Sequence, residues 1–313
     1  MELVTIAKRN SRIRKFGTKL GRSKYLIFMI IPAIVFYIVF NYIPMYGITM
    51  AFKEFNPRLG ILGSPWNGIE NFIAVFEEPK FWVAFKNTLI IGSVKIVISF
   101  LGAVLVALLL NELRMRRTKK TIQTIVTFPH FLSWVVVAGF VISIFAYHGA
   151  INSIIEIFGG TRINFMKDTS FYFGAYFLSD IWKEAGWGSI IYLATMAGIP
   201  QDQYEAADID GANRLQKIWH ITLPGIKPTA ILLLIMSVGG VLSAGFDQIL
   251  NLTPEMYMDK VGIIDTYIFF HSIRGTDGAG VGTAIGLFKS VISFILVITV
   301  DRIAKLCGER GII

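Results

Sequence analysis

Few side chains in this sequence could make or break bonds, and none stands at the spacing such chemistry needs. His130, His148, His220 and His271 are scattered, with no interval that would bring two of them to one metal. The single cysteine, Cys307, excludes an internal disulfide and a cysteine metal cluster. No glycine loop ends in Gly-Lys-Ser/Thr. The nearest stretch, Gly17-Thr18-Lys19-Leu20-Gly21-Arg22-Ser23, lacks the spacing that cradles phosphates. No Ser-His-Asp set or carboxylate pair stands out, so the chain reads as a non-enzyme without a cofactor of its own. The unusual feature is charge within apolar runs. Lys95, Lys183 and Lys289 lie where an ionised group costs at least about 2.5 kcal/mol unless it meets water or a partner. Asp180 stands one turn before Lys183, and Trp182 and Trp187 flank it. Two readings stay open: these lysines pair or reach the interface by snorkelling, or they line an aqueous path.

A second polar feature is Glu205–Pro224, EAADIDGANRLQKIWHITLP, which interrupts the apolar segments. It reads as two short helices around a glycine. Pro200 can open the first, Gly211 permits a turn that most residues resist, and Asn213 can cap the second. Leu215, Ile218, Trp219 and Thr222 then share one face, and Pro224 and Pro228 are expected to end the helix.

The elements that position these residues follow from composition. The 313 residues are 54% hydrophobic and 16% charged, with a mean hydropathy of +0.61, too apolar for a soluble domain. A pI near 9.5 therefore concerns the bilayer and not nucleic acid. An all-α membrane protein with six spans is expected: 25 to about 47 with a bend at Pro32, 87–113, 122–147, 171–198, 229–251 and 282–300. Alternating strands are excluded because the apolar runs are continuous. Residues 1–24 form a basic segment, 25–305 the spanning domain with the polar loop at 199–228, and 306–313 a short tail. With the N-terminus inside, the inner segments hold 19 of the 30 cations and the outer loops 8. Both termini and the 199–228 loop then face the cytoplasm.

Glu-Ala-Ala, three residues, Gly, nine residues, then Ile-x-Leu-Pro resembles the EAA loop of ABC-importer permeases, here Glu205, Ala206, Ala207, Gly211, Ile221, Leu223 and Pro224. Asn87-Thr88 resembles the opening of that family's shared core, and Phe246-Asp247-Gln248-Ile249 with Leu252-Thr253 resembles the end of helix five in its carbohydrate permeases. Asn41–Gly47 and Ala51–Pro57 are similar to the LplB-type group. The resemblance covers about residues 25–305 and implies a type I importer permease fold in a bacterial cytoplasmic membrane. It implies a second homologous permease, two ATP-binding cassette subunits that carry ATP and magnesium, an extracellular or periplasmic solute-binding protein, and an oligosaccharide substrate. Glu205, Ala206, Ala207, Asp210 and Gly211 would couple to the ATPase. The maltose permease's contact positions would fall on Trp182, Lys183, Trp187, Ser237, Gly240, Val241 and Ala244, and Asp247 of the helix-five motif joins them in the expected substrate path. The open alternatives are close helix packing by Gly239-Gly240 and, for Lys183, contact with a saccharide bearing carboxylates. A permease for a non-sugar solute or a secondary transporter is a weaker fit, since no internal repeat is visible.

Overall fold

In hydrocarbon every backbone amide must find its partner inside the protein, so long apolar runs fold as helices. The computed structural model describes residues 24–113, 115–165, 169–254, 257–275, 278–306 and 308. The basic segment 1–23 and residues 309–313 of the tail lie outside the described residues, as do Arg114, Asp168 and Cys307. Among the described residues the regular structure is helical, and an isolated antiparallel bridge between Lys53 and Trp66 pins the first loop.

α1 (Lys24–Tyr37) passes directly into a π-helical turn, Ile38–Tyr42, and a 3-10 stretch, Ile43–Phe52. The first span thus continues past the expected end at 44–47. Pro44 sits in the first turn of the 3-10 stretch, where a missing N–H deprives no acceptor. After α2 (Glu70–Glu77) comes α3 (Pro79–Asn111), 33 residues long and begun well before Asn87. The expected helix 122–147 is instead broken. α4 (Arg116–Thr127) takes in most of the basic run, a 3-10 turn spans Phe128–Phe131, and α5 (Trp134–Phe145) starts afresh. Pro129 cannot donate to the ladder, and the Ser133 side chain caps α5 by accepting from Val136 N at 3.4 Å.

Beyond α6 (Ala150–Ile157), α7 (Thr169–Met196) leads to α8 (Gln201–Ile209), α9 (Arg214–Lys217), a π turn at Ile218–Thr222 and α10 (Leu223–Val238). These last three are continuous, so Pro224 and Pro228 do not stop the helix as expected. Pro224 falls in the opening turn of α10, where its lack of an N–H is tolerated. The expected fifth helix, 229–251, begins earlier and is itself interrupted, with a 3-10 turn at Val241–Ser243 before α11 (Phe246–Leu252). α12 (Gly278–Leu306) closes the fold, following short helical turns at Met258–Val261, Ile264–Tyr267 and Ile268–Ile273.

Among the described residues, five stretches are long and apolar enough to cross a membrane: Phe28–Phe52, Pro79–Asn111, Trp134–Ile157, Arg214–Val238 and Gly278–Leu306. α7 is the sixth. Its 28 residues exceed the roughly 20 that a 30 Å hydrocarbon core requires, and only Asp180, Lys183 and Glu184 set it apart. α3 and α7 pack along each other at the centre, with α10 against both and α12 against α10 and the 3-10 end of the first span. Ala103 and Ala107 of α3, Tyr192 and Met196 of α7, and Ile226 and Ala230 of α10 form one core cluster. A second gathers Ile91, Tyr172, Tyr176, Ile249 and Ile263.

Candidate functional site

The break in span five is built from close backbone approach. A Cβ on Gly92 of α3 would stand 2.0 Å from the Val241 carbonyl oxygen, so only glycine lets the two backbones meet. Ala244 and Gly245 then take left-handed backbone, φ 38° and 84°. For alanine this costs about 1–2 kcal/mol, and buried hydrogen bonds from α7 and α11 hold it. Tyr176 Oη donates to the Ala244 carbonyl at 2.6 Å, while Gln248 Nε2 donates to Tyr176 O at 2.7 Å and to Ser179 Oγ at 3.1 Å.

Beside the break, α3, α7 and α10 enclose a cavity of about 380 Å³. Its wall includes Lys95, Glu184, Trp187, Ser237, Gly240 and Ala244. Lys95 Nζ lies 2.9 Å from Asp180 Oδ1 and donates to Gln248 Oε1 at 3.1 Å; Ser99 Oγ donates to Asp180 Oδ2 at 2.7 Å. One turn along α7, Lys183 Nζ donates to the His130 carbonyl at 2.7 Å and to Glu184 Oε1 at 3.0 Å. His130 Nδ1 lies 2.7 Å from Glu184 Oε2, and its ring stacks on Trp187 with centroids 4.5 Å apart. The Trp134 ring receives both ammonium groups, Lys95 at 5.6 Å and Lys183 at 5.4 Å.

The polar loop is assembled differently, from short-range bonds. Gly211, φ 76°, ends α8 while Ala212 N donates to Ala207 O at 2.9 Å. Asn213 and Gln216 exchange a capping box, 2.9 and 2.7 Å, and Lys217 Nζ donates to Asp208 Oδ1 at 2.6 Å. Tyr204 Oη and Thr222 Oγ1, 3.0 Å apart, clamp α8 to the π turn. Glu205, Ala206, Asp210 and Gly211 are exposed, and Ala207 is half-buried. Ile209 at 87%, Leu215 at 76% and Trp219 at 69% are also exposed, an apolar set that the described residues do not cover.

Of the residues mapped from sequence, Trp187, Ser237, Gly240 and Ala244 come together on the cavity wall. Trp182 is exposed elsewhere on α7, Lys183 is buried behind Glu184, Val241 is buried against α3, and Asp247 is exposed on α11. The pairing of Lys183 with Asp180 is corrected: Asp180 faces α3, and the carbonyl at the His130 break draws Lys183 the other way. Lys289 pairs with Asp265 at 2.6 Å. Sequence reasoning missed Glu184, Ser99, Gln248 and Tyr176. A usable signal was the i, i+4 pair Lys95/Ser99 on α3, matched by Asp180/Glu184 on α7.

The family of binding-protein-dependent transport system inner membrane components matches residues 99–308. The chain belongs to this family. It is 41% identical over 308 residues to the polygalacturonan/rhamnogalacturonan transport system permease protein YteP of Bacillus subtilis, covering 98% of this chain and 95% of that protein. Protein LplB of the same organism is 39% identical over 295 residues, 94% and 92% of the two chains. Among solved structures, the bacterial alginate ABC transporter, in complex with an alginate pentasaccharide-bound periplasmic protein, superimposes with a TM-score of 0.84 at 33% identity, covering 94% of this chain and 99% of that one. The fold is that of a type I ABC-importer permease, and the chain is a transport subunit of the membrane.

Proposed function

We propose that this permease passes an oligosaccharide or polysaccharide-derived substrate from an extracytoplasmic solute-binding protein through the cavity beside the span-five break into the cytoplasm. The observation that carries the substrate class is near full-length similarity to a permease named for polygalacturonan and rhamnogalacturonan. Trp187 fits that reading, since its ring is held flat by His130 and its remaining surface borders the cavity. In this proposal the permease pairs with a second homologous permease and two ATP-binding cassette subunits, which hold ATP and magnesium. The excess of cations on the inner segments supports cytoplasmic termini and a cytoplasmic 199–228 loop. Glu205, Ala206, Ala207, Asp210 and Gly211 then meet the ATPase, with the exposed Ile209, Leu215 and Trp219 as an apolar seat.

The test is uptake by the complex reconstituted with its binding protein, offering oligosaccharides beside peptides and amino acids. Oligosaccharide uptake that depends on ATP and binding protein is expected; uptake of peptide or amino acid alone would overturn the substrate class. Glu205→Arg is expected to leave assembly intact and abolish substrate-stimulated ATP hydrolysis. Normal stimulation in that variant would remove the loop from coupling.

A further inference from the structure

The two ion pairs beside the cavity are oriented oppositely. In the first, the Asp180 side chain is 1% exposed and the Lys95 side chain 21%, so the carboxylate is buried and the ammonium borders the cavity. In the second, the Lys183 side chain is 6% exposed and the Glu184 side chain 30%, so the ammonium is buried and the carboxylate borders the cavity. Asp180 and Glu184 stand one turn apart on α7, which places the two exposed ends side by side. The four groups sum to no net charge, so the cavity has no overall preference for an ion, yet its wall shows a positive patch beside a negative one. Lys95 has three N–H bonds and donates one to Gln248, while its contact with Asp180 is an ion pair at 2.9 Å. Glu184 takes Lys183 on one oxygen and His130 on the other, and each carboxylate oxygen retains a second lone pair.

We infer that Lys95 and Glu184 are a specificity-determining pair for a saccharide that carries carboxylates: Lys95 receives the sugar carboxylate and Glu184 accepts from a neighbouring ring hydroxyl. A uronate presents that combination, an anion and hydroxyl donors on one ring. A neutral sugar satisfies Glu184 and leaves Lys95 facing water. The assignment passes from Lys183, which is sealed behind Glu184, to Lys95. It rests on the reading of the cavity as a saccharide path.

The experiment compares uptake of a short oligogalacturonate with that of its methyl ester, equal in length and uncharged, by the complete reconstituted transporter. Lys95→Met combined with Asp180→Asn removes both charges of the first pair without leaving either alone. It is expected to lower the acid-to-ester uptake ratio at least tenfold. Glu184→Gln moves the ratio the other way, upward, because the negative patch that repels the carboxylate is gone while an acceptor oxygen remains. Lys95→Arg keeps the wild-type preference. If the double variant fails to assemble with its partners, Glu184→Gln decides, and an unchanged ratio overturns the inference. Equal loss of acid and ester in the double variant overturns it too. A wild type that moves neutral saccharides but not the acid sinks the inference and leaves the saccharide path standing; a wild type that moves no saccharide sinks both.

Discussion

The cavity wall and the polar loop both depend on lysine–aspartate pairs of similar length, 2.9 Å for Lys95–Asp180 and 2.6 Å for Lys217–Asp208, yet they are different mechanical objects. Around the Lys95–Asp180 pair and the span-five break, the hydrogen bonds join residues 68 to 153 positions apart and sit among buried groups. They fasten α3, α7 and the span-five break into one unit, and none can change without the others. In the loop, the hydrogen bonds reach at most 18 positions, and most of the groups are wet. The loop is therefore stiff within itself and joined to the bundle through the continuous helix that runs from α9 into α10. It can transmit a push from outside as a body, whereas the cavity network resists deformation until a bond is exchanged.

The contrast can be broken by substitutions of graded effect, read as loss of unfolding free energy of the purified complex in detergent. Asp180→Ala leaves Lys95 without its buried counter-ion and is expected to cost about 3 kcal/mol; a loss below 1 kcal/mol would show that water already supports that lysine. Gly92→Ala forces the Val241 carbonyl away from α3 and is expected to cost about 2 kcal/mol, with a matching fall in uptake. In the loop, Gly211→Val imposes a left-handed backbone on a β-branched residue, about 1–2 kcal/mol of local strain. Its larger signature is functional: ATP hydrolysis persists while uptake falls more than tenfold, and normal coupling would mean that this turn need not hold its shape. Asn213→Ala removes a cap that the Gln216 amide uses and is expected to cost about 1 kcal/mol. Lys217→Ala is expected to change stability by less than about 0.5 kcal/mol, because Asp208 is largely exposed. A loss as large as that of Asp180→Ala would erase the distinction between the two regions.

How each region could be read from sequence follows the same physics. Gly211, Asn213 and Gln216 act on neighbours within a few positions, so their spacing already carries the geometry. The number of spans is legible for a similar reason: among the described residues hydrophobic length gives five, and α7 is long enough to be a sixth although three charges interrupt it. The break at Ala244 is not, because residues 229–251 are apolar enough to continue as helix and the interruption depends on Gly92, Tyr176 and Gln248, each placed by tertiary packing. Asp180 shows the limit of local reasoning. An i, i+3 interval favours Lys183, but α7 turns Asp180 toward α3, where Lys95 and Ser99 both reach it. The prolines mislead in two directions. Pro129 interrupts a span that hydropathy runs together, while Pro224 is absorbed by a helix restarting after a wide π turn.

The first span gives these energetics another side. From Phe28 to Tyr46 every side chain is exposed, so among the described residues no other element buries it. Packing within this chain therefore adds little to what the span's apolar groups gain on entering the bilayer. Their contribution to this chain falls on partition from water into the bilayer and not on association with its own other helices. Over this stretch the sum of the side chains matters more than their order. Phe36→Leu should leave the fold of this chain unchanged. Val35→Lys, near the middle of the stretch, would instead raise the free energy of insertion by about 2.5 kcal/mol or more, before any partner helix is met.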